Sequence, residues 1–167
     1  MLVGYIPFFV LALILHEAGH FIAASACRVK VTEFGLGWGP EIYAFRFRQV
    51  TYGIRMLPLG AYVRLDLPGL LSRPLLQQVI VLLAGIAANL IAAILTDGTR
   101  FSLMNYLLAV TNILPLYQQD SWKCGIVVLR DVLQRKSPIV EWTFTIAGSS
   151  LSFILFVALI IRRIKGL

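Results

Sequence analysis

From Leu2 to Cys27 the chain is apolar apart from one interruption, which reads His16-Glu17-Ala18-Gly19-His20. A run of that length is a membrane-helix candidate, because the hydrocarbon core of a bilayer takes ~20 apolar residues to cross. Each charged residue at the centre of such a helix costs about 2.5–3.5 kcal/mol on insertion scales. Ionisable groups kept there at that cost default to a functional reading, against the alternative of two core histidines and a stray glutamate. On a helix His16 and His20 stand four residues apart, so both imidazoles project from one face on successive turns. The spacing suits two nitrogen ligands to one Zn2+. Glu17, beside the first of them, can take a proton from a metal-bound water. The chain has no other histidine.

The rest of the composition agrees with a membrane protein. Of 167 residues, 59% are hydrophobic, where soluble domains hold ~45–50%. Four stretches are long enough to cross a bilayer: Leu2–Ala26, Pro74–Leu95, Phe101–Gln118 and Trp142–Ile161. The third carries Asn105, Thr111, Asn112 and Pro115, which are tolerated only where they face a bundle or a wet cavity. The first has no basic leader region or small-residue cleavage site, so it reads as a retained span. The expected fold is membrane α-helical, with about four transmembrane helices in a single domain over 1–167.

Net charge is +7. Arg28, Lys30, Arg46, Arg48, Arg55, Arg64 and Arg73 lie between the first and second spans. Lys123, Arg130, Arg135 and Lys136 lie between the third and fourth. Only Arg100, Arg162, Arg163 and Lys165 fall on the other side. The positive-inside rule then puts loops 27–73 and 119–141 in the cytoplasm and both termini outside. A basic stripe interleaved with stacking aromatics is missing, so nucleic acid is not expected as a partner. Cys27 and Cys124 both fall on the cytoplasmic side, where a disulfide is disfavoured, and neither has metal-ligand spacing with the other.

Between the first two spans the pattern changes. Val29–Phe34, Glu41–Phe47, Thr51–Leu57 and Ala61–Leu65 are short alternating or aromatic-rich runs, separated by Gly35–Pro40 and Pro58-Leu59-Gly60. These are strand and turn signals, and they predict a small membrane-associated β-region over 29–65. The glycines lack the dinucleotide-binding spacing and read as turns or close backbone approaches. Small residues Ala18, Gly19, Ala23, Ala24 and Ser25 on the first span permit close helix packing. Asn89 in the second span reads first as inter-helix glue. Pro115 must break the ladder near the end of the third span. Cys124–Lys136 is amphipathic and reads as an interfacial helix.

Two histidines do not complete a catalytic zinc site, which takes three protein ligands and an open position. With no further histidine, a carboxylate must supply the third. Asp97 lies on the wrong side of the membrane, and Asp131 and Glu141 follow elements that lead away. Asp120, at the cytoplasmic end of the third span just after the Pro-broken turn, is the acid best placed to approach His16 and His20.

Taken together, these segments resemble the site-2 proteases, zinc metalloproteases that cut within membranes. The histidine motif is His16, Glu17 and His20. The family's glycine-rich stretch looks like Phe34 to Pro40. Its I-P-L-G-G-Y-V segment looks like Leu57 to Val63, and its A-G-P-x-x-N helix is similar to Ala84 to Asn89. Its N-x-x-P-x-x-x-L-D-G motif aligns with Asn112, Pro115 and Asp120. Four positions depart from the pattern. Gln119-Asp120-Ser121 replaces Leu-Asp-Gly, Ala61 replaces the second glycine, and Ile86 replaces the proline. The PDZ domain that many members carry between the second and third spans is replaced by the short turn Thr96–Arg100.

The resemblance implies zinc held by His16, His20 and Asp120, with Glu17 as the base that activates water and protonates the leaving amine. It implies that Asn112 holds the substrate backbone, with Asn89 as a second substrate-binding candidate in the same cavity. The expected partners are a transmembrane protein or peptide substrate and the lipid bilayer, and the expected location is a membrane, by size and simplicity a bacterial cell membrane. Two other readings remain: a catalytically inactive homologue that binds membrane helices, and a different membrane protease of the same histidine motif that would draw its third ligand from Glu141.

Overall fold

The computed structural model describes residues 2–134 and 137–164; the side chains of residues 2, 3, 58, 59 and 159–164 lie outside that description. Arg135, Lys136 and Lys165, and the side chains of Arg162 and Arg163, are therefore outside it too. A 3-10 turn at Leu2–Tyr5 leads into helix α1 (Ile6–Ala26). Strands β1 (Val31–Phe47) and β2 (Val50–Leu65) follow, then helices α2 (Leu67–Leu71), α3 (Leu75–Leu95), α4 (Arg100–Ile113), α5 (Asp120–Val132) and α6 (Pro138–Ile164). The chain divides into two compact units, Met1–Val110 and Thr111–Leu167.

Among the described residues, three helices are long and apolar enough to cross a membrane: Ile6–Ala26, Leu75–Leu95 and Pro138–Ala158. The expected third span, Phe101–Gln118, is instead the 14-residue helix α4, which stops at Ile113. Pro115 is the reason, since a helix rarely runs past the residue before a proline. The stretch between α3 and α4 is a four-residue turn, Thr96–Thr99, which leaves no room for a domain there.

Burial along α1 is inverted relative to a soluble protein. The buried face of α1 is Ala12, His16, His20 and Ala24, a strict four-residue stripe. On α3 it includes Gln78, Gly85 and Asn89. The exposed positions are Leu11 and Ile22 on α1 and Leu76, Ile91 and Leu95 on α3. On α1 small residues and histidines pack inward while branched aliphatics face out, a pattern helix association in lipid favours; on α3 Val81, Leu82 and Ile86 are buried beside the small and polar residues. At the N-terminal end of the first unit, Ala12, Met104 and Leu108 form a core that Phe8, Phe9 and Phe101 close.

The β-region is one sheet of two long strands. The first half of β1 is paired along both edges. Phe34 and Gly35 face Val63 and Tyr62 on one side, and Tyr52 and Gly53 on the other. The second half turns back as a hairpin, with Phe45 opposite Tyr52 and Phe47 opposite Val50. Two glycines make the folding-over possible. Gly37 has φ 97°, and a Cβ there would meet the Leu57 carbonyl oxygen at 2.6 Å; Gly60 has φ 137° and packs against the Trp38 indole. Trp38, Ile42, Tyr43, Phe45, Phe47 and Met56 are exposed on the sheet. An apolar surface of this kind marks an interaction site or a membrane-facing surface.

In the second unit, α5 and α6 are joined by polar contacts. Trp122 Nε1 donates to Thr145 Oγ1 at 3.0 Å, and Arg130 donates to both carboxylate oxygens of Glu141 at 2.6 and 2.8 Å. The expected interfacial helix over 124–136 begins earlier, at Asp120, and the last span begins at Pro138, where proline sits as the first helical residue.

Candidate metal centre

The centre is built on the buried stripe of α1. His16 and His20 are 4% and 6% exposed, and their Nε2 atoms face each other at 3.3 Å. Both rings are held from behind by α3. His20 Nδ1 lies 2.7 Å from the backbone carbonyl of Val81. A carbonyl only accepts, so Nδ1 carries the proton and the lone pair of His20 is on Nε2. His16 Nδ1 lies 2.5 Å from Asn89 Oδ1. The Asn89 amide nitrogen donates to the Ala12 carbonyl at 3.1 Å and to Asn105 Oδ1 at 2.6 Å, and the two acceptors together hold the amide with its oxygen toward His16. His16 is therefore also protonated on Nδ1, with its lone pair on Nε2.

Two imidazole lone pairs facing each other cannot form a hydrogen bond. They suit a shared cation. Two nitrogen ligands at 2.0–2.1 Å on a tetrahedral Zn2+ are about 3.3–3.4 Å apart, and the observed 3.3 Å matches. Donation of the outward ring nitrogen to a carbonyl-type oxygen is the usual outer support of a metal-bound histidine. The residues present therefore fit zinc.

Two glycines allow this geometry. A Cβ at Gly19 on α1 would lie 2.9 Å from the Ala88 Cβ and 3.0 Å from the Ala84 carbonyl carbon, so the two helix backbones are in near contact. A Cβ at Gly85 on α3 would meet His16 Nε2 and Cε1 at 2.7 Å and would crowd His20 Nε2 still more. Gly85 is thus a site residue that the sequence reading passed over, although it stands in the Ala84 to Asn89 segment.

Glu17 follows His16 on α1 and is partly exposed. Asn89 is fully buried, and its amide is committed to His16, Ala12 and Asn105. Asn112 lies in the last turn of α4. In the second unit Asp120 is the first residue of α5, is 4% exposed, and accepts from Lys123 Nζ at 3.1 Å. The turn before it places Gln118 at φ 75° and closes through Ser121 Oγ, which donates to the Leu114 carbonyl at 2.8 Å. Ser121, where the resembled family has glycine, is therefore an integral part of this turn. Glu141 is engaged by the Arg130 guanidinium.

Residues 4–97 match the profile of peptidase family M50, which is more than half of the chain. The chloroplastic membrane metalloprotease ARASP of Arabidopsis thaliana is 39% identical over 93 residues, covering 48% of this chain and 21% of that protein. A Synechocystis protein whose name provisionally calls it a zinc metalloprotease is 41% identical over 91 residues, covering 47% and 25%. A similarly named Fusobacterium nucleatum protein is 34% identical over 91 residues, covering 50% and 27%. The chain thus spans about a quarter of the length of the curated relatives it matches. The family match takes in the α1 histidines, the β-region and the Gly85 and Asn89 positions of α3, and ends before Asn112 and Asp120. With the paired histidines and their α3 support both inside the matched stretch, this chain belongs to peptidase family M50, the membrane metalloproteases of the site-2 type.

Proposed function

We propose that this chain is a zinc-dependent intramembrane endopeptidase that cleaves peptide bonds in or near transmembrane segments. The observation that carries the reading is the pair of Nε2 atoms 3.3 Å apart within an apolar helix, each ring held at its Nδ1 by an oxygen from α3. In this reading Asp120 is the third protein ligand. It is a buried acid at a helix start, after a broken turn at the family's spacing. Its carboxylate accepts from Lys123 Nζ at 3.1 Å. When bound, zinc supplies Lewis acidity to a water and to the scissile carbonyl. Glu17, next to His16 on α1, would serve as the base that accepts a proton from the attacking water and returns it to the leaving amine. Asn112 holds the substrate backbone. The commitments of Asn89 favour a different role from the substrate contact expected of it: it holds His16.

A substrate helix must unwind before a peptide bond is exposed, because its carbonyls are satisfied internally. Spans containing Gly, Pro, Asn or Ser should be cut faster than an all-leucine span. The β-region offers outer strand edges to which an unwound segment can add. Helix α4, about 21 Å long at 1.5 Å per residue, is proposed to make the fourth crossing together with residues 114–119. Both connecting loops then lie on the cytoplasmic side.

The test is zinc per chain in detergent-purified protein, with cleavage of a model transmembrane peptide. About one zinc in wild type, sharply less in Asp120→Ala, and zinc retained with cleavage abolished in Glu17→Gln is the expected pattern. Zinc retained in Asp120→Ala would assign the third ligand elsewhere. Equal function in Glu17→Gln would favour an inactive homologue that binds membrane helices.

A further inference from the structure

Behind His16 a chain of buried side-chain amides runs from α3 to α4. Asn89 Nδ2 donates to Asn105 Oδ1 at 2.6 Å, and Asn105 Nδ2 donates to the Phe101 carbonyl at 2.9 Å. Both asparagines are 0% exposed. Each link fixes the next. The Phe101 carbonyl can only accept, so the Asn105 amide must turn its nitrogen to Phe101 and its oxygen to Asn89. That oxygen, with the Ala12 carbonyl, makes the Asn89 nitrogen a double donor. The Asn89 oxygen is left to accept from His16 Nδ1. A proton position on α1 is thus tied to a backbone carbonyl on α4, which acts together with the Ala12 carbonyl.

We propose that Asn105 is a positioning residue for the metal-facing His16, acting through Asn89 to hold the imidazole in the tautomer whose lone pair is on Nε2. The proposal rests on the reading of His16 as a zinc ligand. Inter-helix adhesion alone would be satisfied by any donor–acceptor pair between α3 and α4, and one already exists: Ser102 Oγ donates to the Ala93 carbonyl at 2.8 Å. What Asn105 adds is direction. Without it the Asn89 nitrogen keeps one acceptor instead of two, and the amide can rotate to present its nitrogen to His16. The imidazole would then have to accept at Nδ1, carry its proton on Nε2, and lose the lone pair that faces His20. Asn105 lies outside the family-matched stretch of 4–97, so the device is built from a segment beyond it.

Two histidines in the chain make the test direct. Protein labelled with 15N-histidine gives four ring-nitrogen signals, read zinc-free at a pH where both rings are neutral. In wild type His16 should show a protonated Nδ1 and an unprotonated Nε2. In Asn105→Leu, which keeps the branched four-atom shape of the side chain and removes the acceptor, the His16 signals should shift toward the other tautomer. The zinc dissociation constant, by chelator competition, should rise about tenfold, the low end for outer-shell changes. Asn105→Asp, which restores an acceptor to Asn89, should recover both readouts. Ser102→Ala should lower thermal stability and leave the His16 signals in place. Folded Asn105→Leu with wild-type ring signals and wild-type zinc affinity would overturn the proposal; if that variant does not fold, Asn105→Ala carries the same two outcomes. Wild type that takes up no zinc would defeat the protease reading, while the ring signals would still decide the tautomer relay.

Discussion

The imidazole pair on α1 depends on a side chain that α3 does not have. Gly85 faces both rings, and the smallest added group has nowhere to go: a Cβ would lie 2.7 Å from two atoms of His16 and closer still to His20. Rotating either ring away would break its bond to Asn89 or to the Val81 carbonyl. Gly85→Ala should therefore cost about 1–3 kcal/mol as an overpacked core, and should lower zinc affinity at least tenfold, as in outer-shell damage. Thermal unfolding and chelator competition on the same preparation separate the two losses. Wild-type zinc affinity in Gly85→Ala would mean that the rings are not pinned as described. The two cysteines offer a second test. Cys124 is buried, and burial pushes its thiol pKa above the ordinary value. A raised pKa leaves less thiolate at any pH below it, and thiolate is the nucleophile. Maleimide should label Cys27 before Cys124 in native protein at pH 8, with the difference vanishing on unfolding. At this scale the sequence was most legible where chemistry demanded rare residues. His16, Glu17 and His20 stand out because an apolar run makes each of them expensive. Asn105 was visible only as a polar residue in an apolar stretch, since nothing in a sequence says which way an amide points.

Among elements, the β-region was readable because alternation and glycine punctuation are local signals. Its folding-over was not, because pairing of β1 on both edges depends on contacts between residues as far apart as Val31 and Leu65. The helix ends show the same division. Pro115 announced a break, and α4 does stop at Ile113. The start of α5 at Asp120 was less visible, since the apolar face that suggested a helix begins later. What fixes that start is the turn that Ser121 closes on the Leu114 carbonyl across the left-handed Gln118. Ser121→Ala removes the hydroxyl and leaves that carbonyl without this donor, so it should cost about 1 kcal/mol. A lowered thermal midpoint would check it. If Asp120 is a ligand, zinc affinity should fall as well, because the same turn presents the carboxylate. Unchanged stability in Ser121→Ala would show that the turn is held by its backbone alone.

At the scale of the whole molecule, the apolar helices are those of an integral membrane protein, and the positive-inside rule turns the charge distribution into a testable expectation of orientation. Among the described residues three helices are long and apolar enough to cross, and the membrane side of everything after α4 depends on whether that 14-residue helix crosses too. If it does, the β1–β2 hairpin and the α5–α6 connection share one side, and only the turn between α3 and α4 lies opposite. That arrangement puts both basic loops together, as the positive-inside rule asks. With three crossings the two loops would be on opposite sides, and one of them would carry its arginines and lysines against the rule. Exposed positions exist to decide this: Gln49 in the hairpin turn, Asp97 between α3 and α4, and Gln134 after α5. In a background of Cys27→Ser and Cys124→Ala, the variants Gln49→Cys and Gln134→Cys should react with a membrane-impermeant maleimide only from the cytoplasmic face, and Asp97→Cys only from the other. Gln134→Cys reacting with Asp97→Cys would reduce the crossings to three. It would also place Asp120 on the far side of the bilayer from the loop that follows the histidine helix. The side of Gln134 therefore tests the third ligand as well as the topology.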